Sequence, residues 1–449
     1  MTHTTPPTAA LSSRVRQTAG SLLLNAGVRT KQFIDSALLG KPPVPDVDAD
    51  PLPQTLPSYP VVAYFAEAPV RGYQLEQWLP VLERVAESHP VLVVVRNWEM
   101  AVHLRATTRM PVAFARSLDG LLRIYEQIDA KAVLYVNNGV RNFQSLIYRH
   151  ALHVHVNHGE SDKVSMVSNQ AKAYDHVVVA GQAAVDRHRR ALIDFDLDRL
   201  VVCGRPQLDL DIEQSVTPVE GLRTVLYAPT WEGEDDANNY TSLDGYGVEI
   251  VRAVLARPDV RLVYKPHPRV PTSGDRGVAR AHAEIVRLVQ EANQSRTAPR
   301  RHILPFKADI LSVFEAADLL VTDISSVGLD FLYLRPDVPI ILTDRRTDRR
   351  RLLDEAPIAR AADVIDAASV SGVAEMLAAN FGDDPHGAVR AEVRDHYFGF
   401  ARGESSKRFL EFLDECIARR ETLLEGSSPA EVSTQAGADA AFEKAHVDE

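Results

Sequence analysis

Cysteine is nearly missing from this 449-residue chain: Cys203 and Cys416 are the only two. That excludes a disulfide framework and suits a reducing cytosol. Their number and spacing do not make a zinc site, so no metal and no cofactor is expected. A surplus of positive charge is also missing, because 50 Lys and Arg stand against 61 Asp and Glu, a formal net charge of -11. That is the wrong sign for a protein that neutralises nucleic-acid phosphates, so nucleic acid is excluded as a partner. Any anionic ligand must be met by a local basic cluster. No apolar run approaches the ~18 residues that span a bilayer, and the stretch at 22–24 is too short for a signal-peptide core. The expectation is a cytoplasmic protein.

What is present is the composition of a soluble globular chain at a length too great for one ordinary core, so two domains are expected. Residues 9–39 are helical in pattern and basic: Arg14, Arg16, Arg29 and Lys31 face a single acid, Asp35. Such an arm can lie on an anionic membrane surface, at the inner face of the cell membrane, or pack on the body of the protein. Seven prolines between Lys41 and Pro60 make a linker. Residues 1–58 are therefore read as arm and linker.

From Val61 onward, short apolar runs alternate with amphipathic segments. Strands are expected at 61–65, 91–95, 112–115, 132–136, 152–156, 177–180 and 200–203, then at 225–228, 262–264, 302–304, 319–322 and 338–342. Continuous apolar runs mark strands buried on both faces, hence mostly parallel sheets with crossover helices. This gives an α/β chain of two doubly wound, Rossmann-like domains, 59–215 and 216–395, facing a cleft. A C-terminal helix at 396–424 and an acidic tail at 425–449 complete it. Ligands of such sheets bind at the carboxyl ends of the strands.

The loops at those ends carry the chemistry. One reads Asn157-His158-Gly159-Glu160-Ser161-Asp162-Lys163. His158 is a candidate general base, since imidazole titrates near neutrality and Gly159 permits close backbone approach; the plain alternative is a structural loop histidine. His153 and His155 alternate on one strand face and are read as sheet-face histidines rather than metal ligands. Lys265-Pro266-His267-Pro268-Arg269 sets three cations in five residues on a stiff loop, which suits a diphosphate. Trp231, in Thr230-Trp231, stacks on a base or closes the core. After the run 319–321 comes the turn Asp323 to Ser326 and a helix at 326–334, ended by Pro336. A helix N-terminus offers unpaired N–H groups and a positive dipole end to phosphate; Ser325 and Ser326 add hydroxyls, and Asp330 can reach a ribose. The plain alternative is a serine N-cap with Asp330 solvated.

Asn157-His158-Gly159, Tyr227-Ala228-Pro229-Thr230-Trp231, Lys265-Pro266-His267-Pro268, Thr322-Asp323-Ile324-Ser325-Ser326 with Asp330-Phe331, and Gly403-Glu404-Ser405-Ser406-Lys407-Arg408 occur in this order. Together they resemble the CDP-glycerol glycerophosphotransferase family, over roughly residues 150–415. The resemblance implies a GT-B fold, the acceptor on the N-terminal domain and the CDP-glycerol donor on the C-terminal one. It implies transfer of glycerol phosphate to a hydroxyl of a lipid-linked or polymeric acceptor, with release of CMP, in teichoic acid-like polymer synthesis. It makes His158 and His267 catalytic. Lys265, Arg269, Thr230, Asp323, Ser325, Ser326 and Asp330 would bind the donor; Glu160, Lys163 and Arg205 would face the acceptor. Two departures bear on the acceptor: the histidine loop continues Glu160-Ser161-Asp162-Lys163 where Thr-Pro-Leu-Lys is common. In Gly204-Arg205-Pro206-Gln207-Leu208-Asp209 the arginine is displaced. The rival readings are a nucleotide-sugar glycosyltransferase or epimerase of the same fold, and a non-catalytic scaffold.

Overall fold

The computed structural model describes Ala49 and residues 58–294, 302–382 and 384–426. The basic arm at 9–39, most of the linker and the tail beyond Gly426 lie outside the described residues.

Seven strands form the first sheet: β1 (Val61–Phe65), β2 (Val91–Val95), β3 (Val112–Phe114), β4 (Ala132–Tyr135), β5 (Leu152–His155), β6 (His176–Val179) and β7 (Leu200–Val202), in the order β3-β2-β1-β4-β5-β6-β7. Five form the second: β8 (Arg223–Ala228), β9 (Val260–Tyr264), β10 (Leu319–Asp323), β11 (Ile340–Thr343) and β12 (Asp363–Ile365), in the order β12-β11-β10-β8-β9. Every pairing is parallel. The cause is legible in β1, β2 and β10, whose five residues are all buried. A strand without a polar face needs helices on both sides, and a parallel sheet provides them.

The expected strand at 302–304 is only a single bridge, Ile303 to Val263, while β12 was not expected. Its core side is a lone Ile365 among half-buried neighbours, too short a signal for an edge strand. Ahead of β10 the chain makes only a 3-10 turn, Leu311–Val313.

The last helix, Glu404–Glu425, leaves the second sheet and packs into the first. Phe409, Phe412, Leu413 and Cys416 join the core that contains β1 and β2. Asp209 seats its start, accepting from Gly403 N at 2.7 Å and Ser406 N at 2.6 Å. A carboxylate at a helix N-terminus meets both the orphan amides and the dipole. Gly204, at φ +71, lies against Ser405, and a Cβ there would run into it. Among the described residues no helix is long and apolar enough to cross a membrane.

Candidate active site

His158 stands on the loop after β5. Asn157 turns that loop with φ +52 and fixes it twice. Its Oδ1 accepts from His158 N at 2.8 Å, and its carbonyl accepts from Trp78 Nε1. His158 Nδ1 lies 3.1 Å from the Val136 carbonyl. A carbonyl only accepts, so Nδ1 carries the proton and Nε2 presents a lone pair. Burial, with Arg205 adding to it, pushes the imidazole down to about 4, so His158 is neutral at pH 7.

His267 stands on the loop after β9, tied to the loop after β8 by its own N–H on the Pro229 carbonyl at 2.9 Å. Here Arg269 N donates to Nδ1 at 3.2 Å. A backbone amide only donates, so Nδ1 accepts and the proton sits on Nε2. Burial first, then Lys163, Arg269 and Lys265, push this imidazole down to about 3. The two rings therefore hold opposite tautomers, one offering a base and the other an N–H donor. Between them stands Tyr73, from the short helix Tyr73–Glu76. Its ring is edge-on to His158 at 5.9 Å and 81°, and to His267 at 5.8 Å and 89°.

Cations line the same space. Lys163 crosses from the first domain to donate to Thr230 Oγ1 at 2.9 Å, and burial lowers it to about 8. Lys265 is buried and donates to the Phe306 carbonyl at 3.3 Å. The Arg269 guanidinium lies 3.6 Å from the centre of the Trp231 ring. The helix Ser326–Leu334 begins beside them with Ser325 as N-cap, yet the Ser325 side chain makes no capping bond. Its Oγ is buried with no partner among the described residues. That helix N-terminus is thus left to a ligand rather than capped by its own serine. Gly159 brings the His158 loop against it: a Cβ on Gly159 would lie 3.4 Å from Ser326 Cβ.

The family model for CDP-glycerol:poly(glycerophosphate) glycerophosphotransferase matches residues 141–414, and these contain every residue of this cleft except Tyr73 and Trp78. The chain belongs to this family. None of the curated proteins matches it. Among solved structures, a putative UDP-N-acetylglucosamine 2-epimerase from Listeria monocytogenes is similar at TM-score 0.55 and 15% identity, covering 83% of this chain and 98% of that one. The wall teichoic acid polymerase TagF, in a variant soaked with CDPG, is similar at TM-score 0.52 and 11% identity, with 81% and 90% covered. A glycosyltransferase from Rickettsia africae gives TM-score 0.51 at 11% identity, covering 80% and 99%. These neighbours share the fold, two Rossmann-like domains in the GT-B arrangement.

Within this glycerophosphotransferase fold the expected site residues divide. His158, His267, Lys163, Lys265, Arg269, Thr230, Ser325 and Ser326 come together as described, with Lys163, expected on the acceptor side, reaching across to Thr230. Asp323 does not face the cleft. It is fully buried and accepts from Thr230 N at 2.6 Å, Ser242 N at 3.2 Å and Thr343 Oγ1 at 2.6 Å. Its carboxylate organises the loops and has no face for a donor. Asp330 is buried rather than solvated, with Oδ1 3.2 Å from Arg205 Nη1. Burial pushes its carboxyl up to about 6 despite that arginine. Glu160, expected on the acceptor side, is buried on Arg187, which also holds Asp162 at 2.7 Å. Two carboxylates on one guanidinium brace the histidine loop from behind. His153 is a core residue, within 2.8 Å of Tyr135 Oη and 2.7 Å of the Tyr148 carbonyl. Tyr73, Trp78, Arg187 and Tyr397 were missed by sequence reasoning, since none lies in a motif and each meets the site only through folding.

Proposed function

We propose that this protein transfers glycerol phosphate from CDP-glycerol to a hydroxyl of a lipid-linked polyol-phosphate acceptor, releasing CMP. His158 Nε2 takes the proton of the acceptor hydroxyl. The freed oxygen attacks the glycerol-bearing phosphorus, the bond from that phosphorus to the bridging oxygen breaks, and the bridging oxygen leaves with CMP. His267 Nε2–H, the amides at the start of the Ser326 helix, Lys163, Lys265 and Arg269 meet the charge that develops on the diphosphate. The bound anion also offsets the cations that add to burial in keeping His267 neutral. The observation that carries the reading is the pair of opposite tautomers on either side of Tyr73, because a base and a donor are what a hydroxyl attack on a diphosphate requires.

The test is turnover of CDP-glycerol by His158→Ala and His267→Ala, each expected to lose on the order of 10²-fold or more. Near-normal turnover by both would overturn the mechanism. Thermal shifts with CDP-glycerol, CDP-ribitol, UDP-sugars and CMP separate this donor from a nucleotide sugar, since a ligand that binds the native state raises its stability by mass action. Attachment to the inner face of the membrane through residues 9–39 belongs to the same proposal. Liposome co-sedimentation unchanged by deleting residues 1–45 would remove it.

A further inference from the structure

The short helix Asn142–Ser145, on the crossover from β4 to β5, is inside out. Its polar residues face the core, where Asn142 and Ser145 are buried. Asn142 Nδ2 donates to the Asn137 carbonyl at 2.7 Å and to Tyr174 Oη at 3.0 Å. Ser145 Oγ lies 2.7 Å from the Tyr125 hydroxyl and 2.8 Å from the Tyr135 hydroxyl. The apolar residues face outward instead: Val140, Phe143 and Ile147 are 74%, 43% and 51% exposed. Their spacing of i, i+3 and i+7 makes one stripe along the helix and its flanking turns. A single exposed valine needs no explanation, but three large apolar side chains in register mark a docking face.

Charge decides what covers it. Between Asp129 and Glu160 the chain has no acid, and the stripe is flanked by Arg141 and Arg149, both exposed. Asp129 itself is held by Arg420 and Lys131. The adjoining helix, Leu118–Ile128, adds Arg123 paired with Asp119, and Glu126, so the face stays positive on a chain of net charge -11. A positive face repels the basic residues 9–39 and repels a second copy of itself, which leaves neither as the occupant. An anionic lipid surface fits both properties, because apolar side chains enter the headgroup boundary while arginines reach lipid phosphates. Ala49 adds a second, independent argument. It bridges Ala115, just past β3, and packs on the core that holds Tyr125, Tyr148 and Leu146 beneath the stripe. The chain that carries the basic residues 9–39 therefore joins the body on the same side of the first sheet as the stripe. We propose that this side docks on an anionic bilayer, with Val140, Phe143 and Ile147 entering the headgroup region and Arg141 and Arg149 against lipid phosphates. The loop that opens the stripe begins at Val136, whose carbonyl fixes the His158 tautomer. On the transferase reading above, on which this clause alone rests, docking holds the base beside the surface from which a lipid-linked acceptor reaches it.

The test puts an environment-sensitive fluorophore on the full chain through Val140→Cys, with Ile193→Cys as control. Ile193 is 87% exposed just before β7, at the opposite rim of the first sheet from Val140, and the two native cysteines are buried, so labelling is selective. With vesicles of phosphatidylglycerol and phosphatidylcholine, the emission of the probe at 140 should shift to the blue and that at 193 should not. Vesicles of phosphatidylcholine alone, or added salt, should weaken binding. The double variant Phe143→Ser with Ile147→Ser should weaken partitioning on the order of 10-fold and leave the melting temperature unchanged. No vesicle binding, binding without a shift at 140, or full binding by the double variant would overturn the proposal. Self-association of the native chain that the double variant abolishes would overturn it too, and make the stripe an interface between copies. Deleting residues 1–45 separates the stripe from the arm: a truncated chain that still shifts at 140 keeps the stripe and removes the arm, whereas full-chain binding without that shift keeps the arm and removes the stripe. Turnover of CDP-glycerol in the absence of vesicles reports on the transferase reading independently of either.

Discussion

Tyr397 is the cleanest point at which to perturb the coupling between the histidine loop and the second domain. Its side chain is fully buried in the core of the C-terminal domain. Its hydroxyl donates to Asp162 Oδ2, four residues after His158, and accepts from Ile358 N at 3.1 Å. Tyr397→Phe removes the oxygen and leaves the ring. A lost bond to an ionised carboxylate costs ~1.5–3 kcal/mol, and a buried amide left without an acceptor costs ~1–3 kcal/mol. The expected destabilisation at pH 8 is therefore about 4 kcal/mol. The cost should also depend on pH. Burial raises the Asp162 carboxyl from 3.8 to about 6, against the lowering effects of Arg187 and Tyr397. A raised acid contributes stability that is present below its unfolded pKa and is lost as pH rises through its folded pKa. Removing the Tyr397 hydroxyl raises Asp162 further, so the variant loses more over that rise. The difference from wild type should grow between about pH 4 and pH 7 by roughly 1–1.5 kcal/mol and then level off. Urea unfolding of both proteins at pH 4.5 and pH 8 measures it. A cost below 1 kcal/mol at pH 8, or the same cost at both pH values, would refute the role given to Asp162 and Tyr397.

Three further outcomes are expected. Gly159→Ala should fold with unchanged stability, because its Cβ meets nothing closer than 3.4 Å; it should raise the KM for CDP-glycerol by narrowing the gap to Ser326, and an unaltered KM would place the donor elsewhere. Tyr73→Leu removes two edge-on aromatic contacts of ~0.5–1.5 kcal/mol each, so kcat should fall about 10-fold with little change in KM; an unchanged kcat would mean that the histidines hold their geometry without it. Phe409→Ala truncates a fully buried ring packed 5.3 Å from Trp78 and should cost ~3–5 kcal/mol. Burial holds the Cys203 and Cys416 thiols up at about 12, so a thiol reagent should label the variant far faster than the native chain. Equal labelling rates would show that the last helix stays seated without that ring.

The parts of the site legible in the sequence were those written contiguously. His158 with Gly159, and Lys265 with His267 and Arg269, sit in loops directly after apolar runs, and parallel topology sends such loops to one edge. Ser325 and Ser326 follow from the same rule, since β10 leads straight into their helix. Asp323 was misread because its neighbours in sequence resemble a ligand loop, while its three donors come from Thr230, Ser242 and Thr343. Helical periodicity places Asp330 one turn into the helix but does not reveal Arg205, distant in sequence, lying beside it.

The sequence by itself determined the two parallel sheets, the cleft and the family motifs, because strands buried on both faces and turns at their ends are encoded by residues next to one another. Tertiary structure alone decided which nitrogen of each histidine carries the proton, since that depends on the Val136 carbonyl for one ring and the Arg269 amide for the other. It alone put Tyr73 between them and joined Tyr397 to Asp162 across 235 residues. Hydrogen-bond direction and ring contact are properties of neighbours in space, and the order of residues along the chain does not specify them.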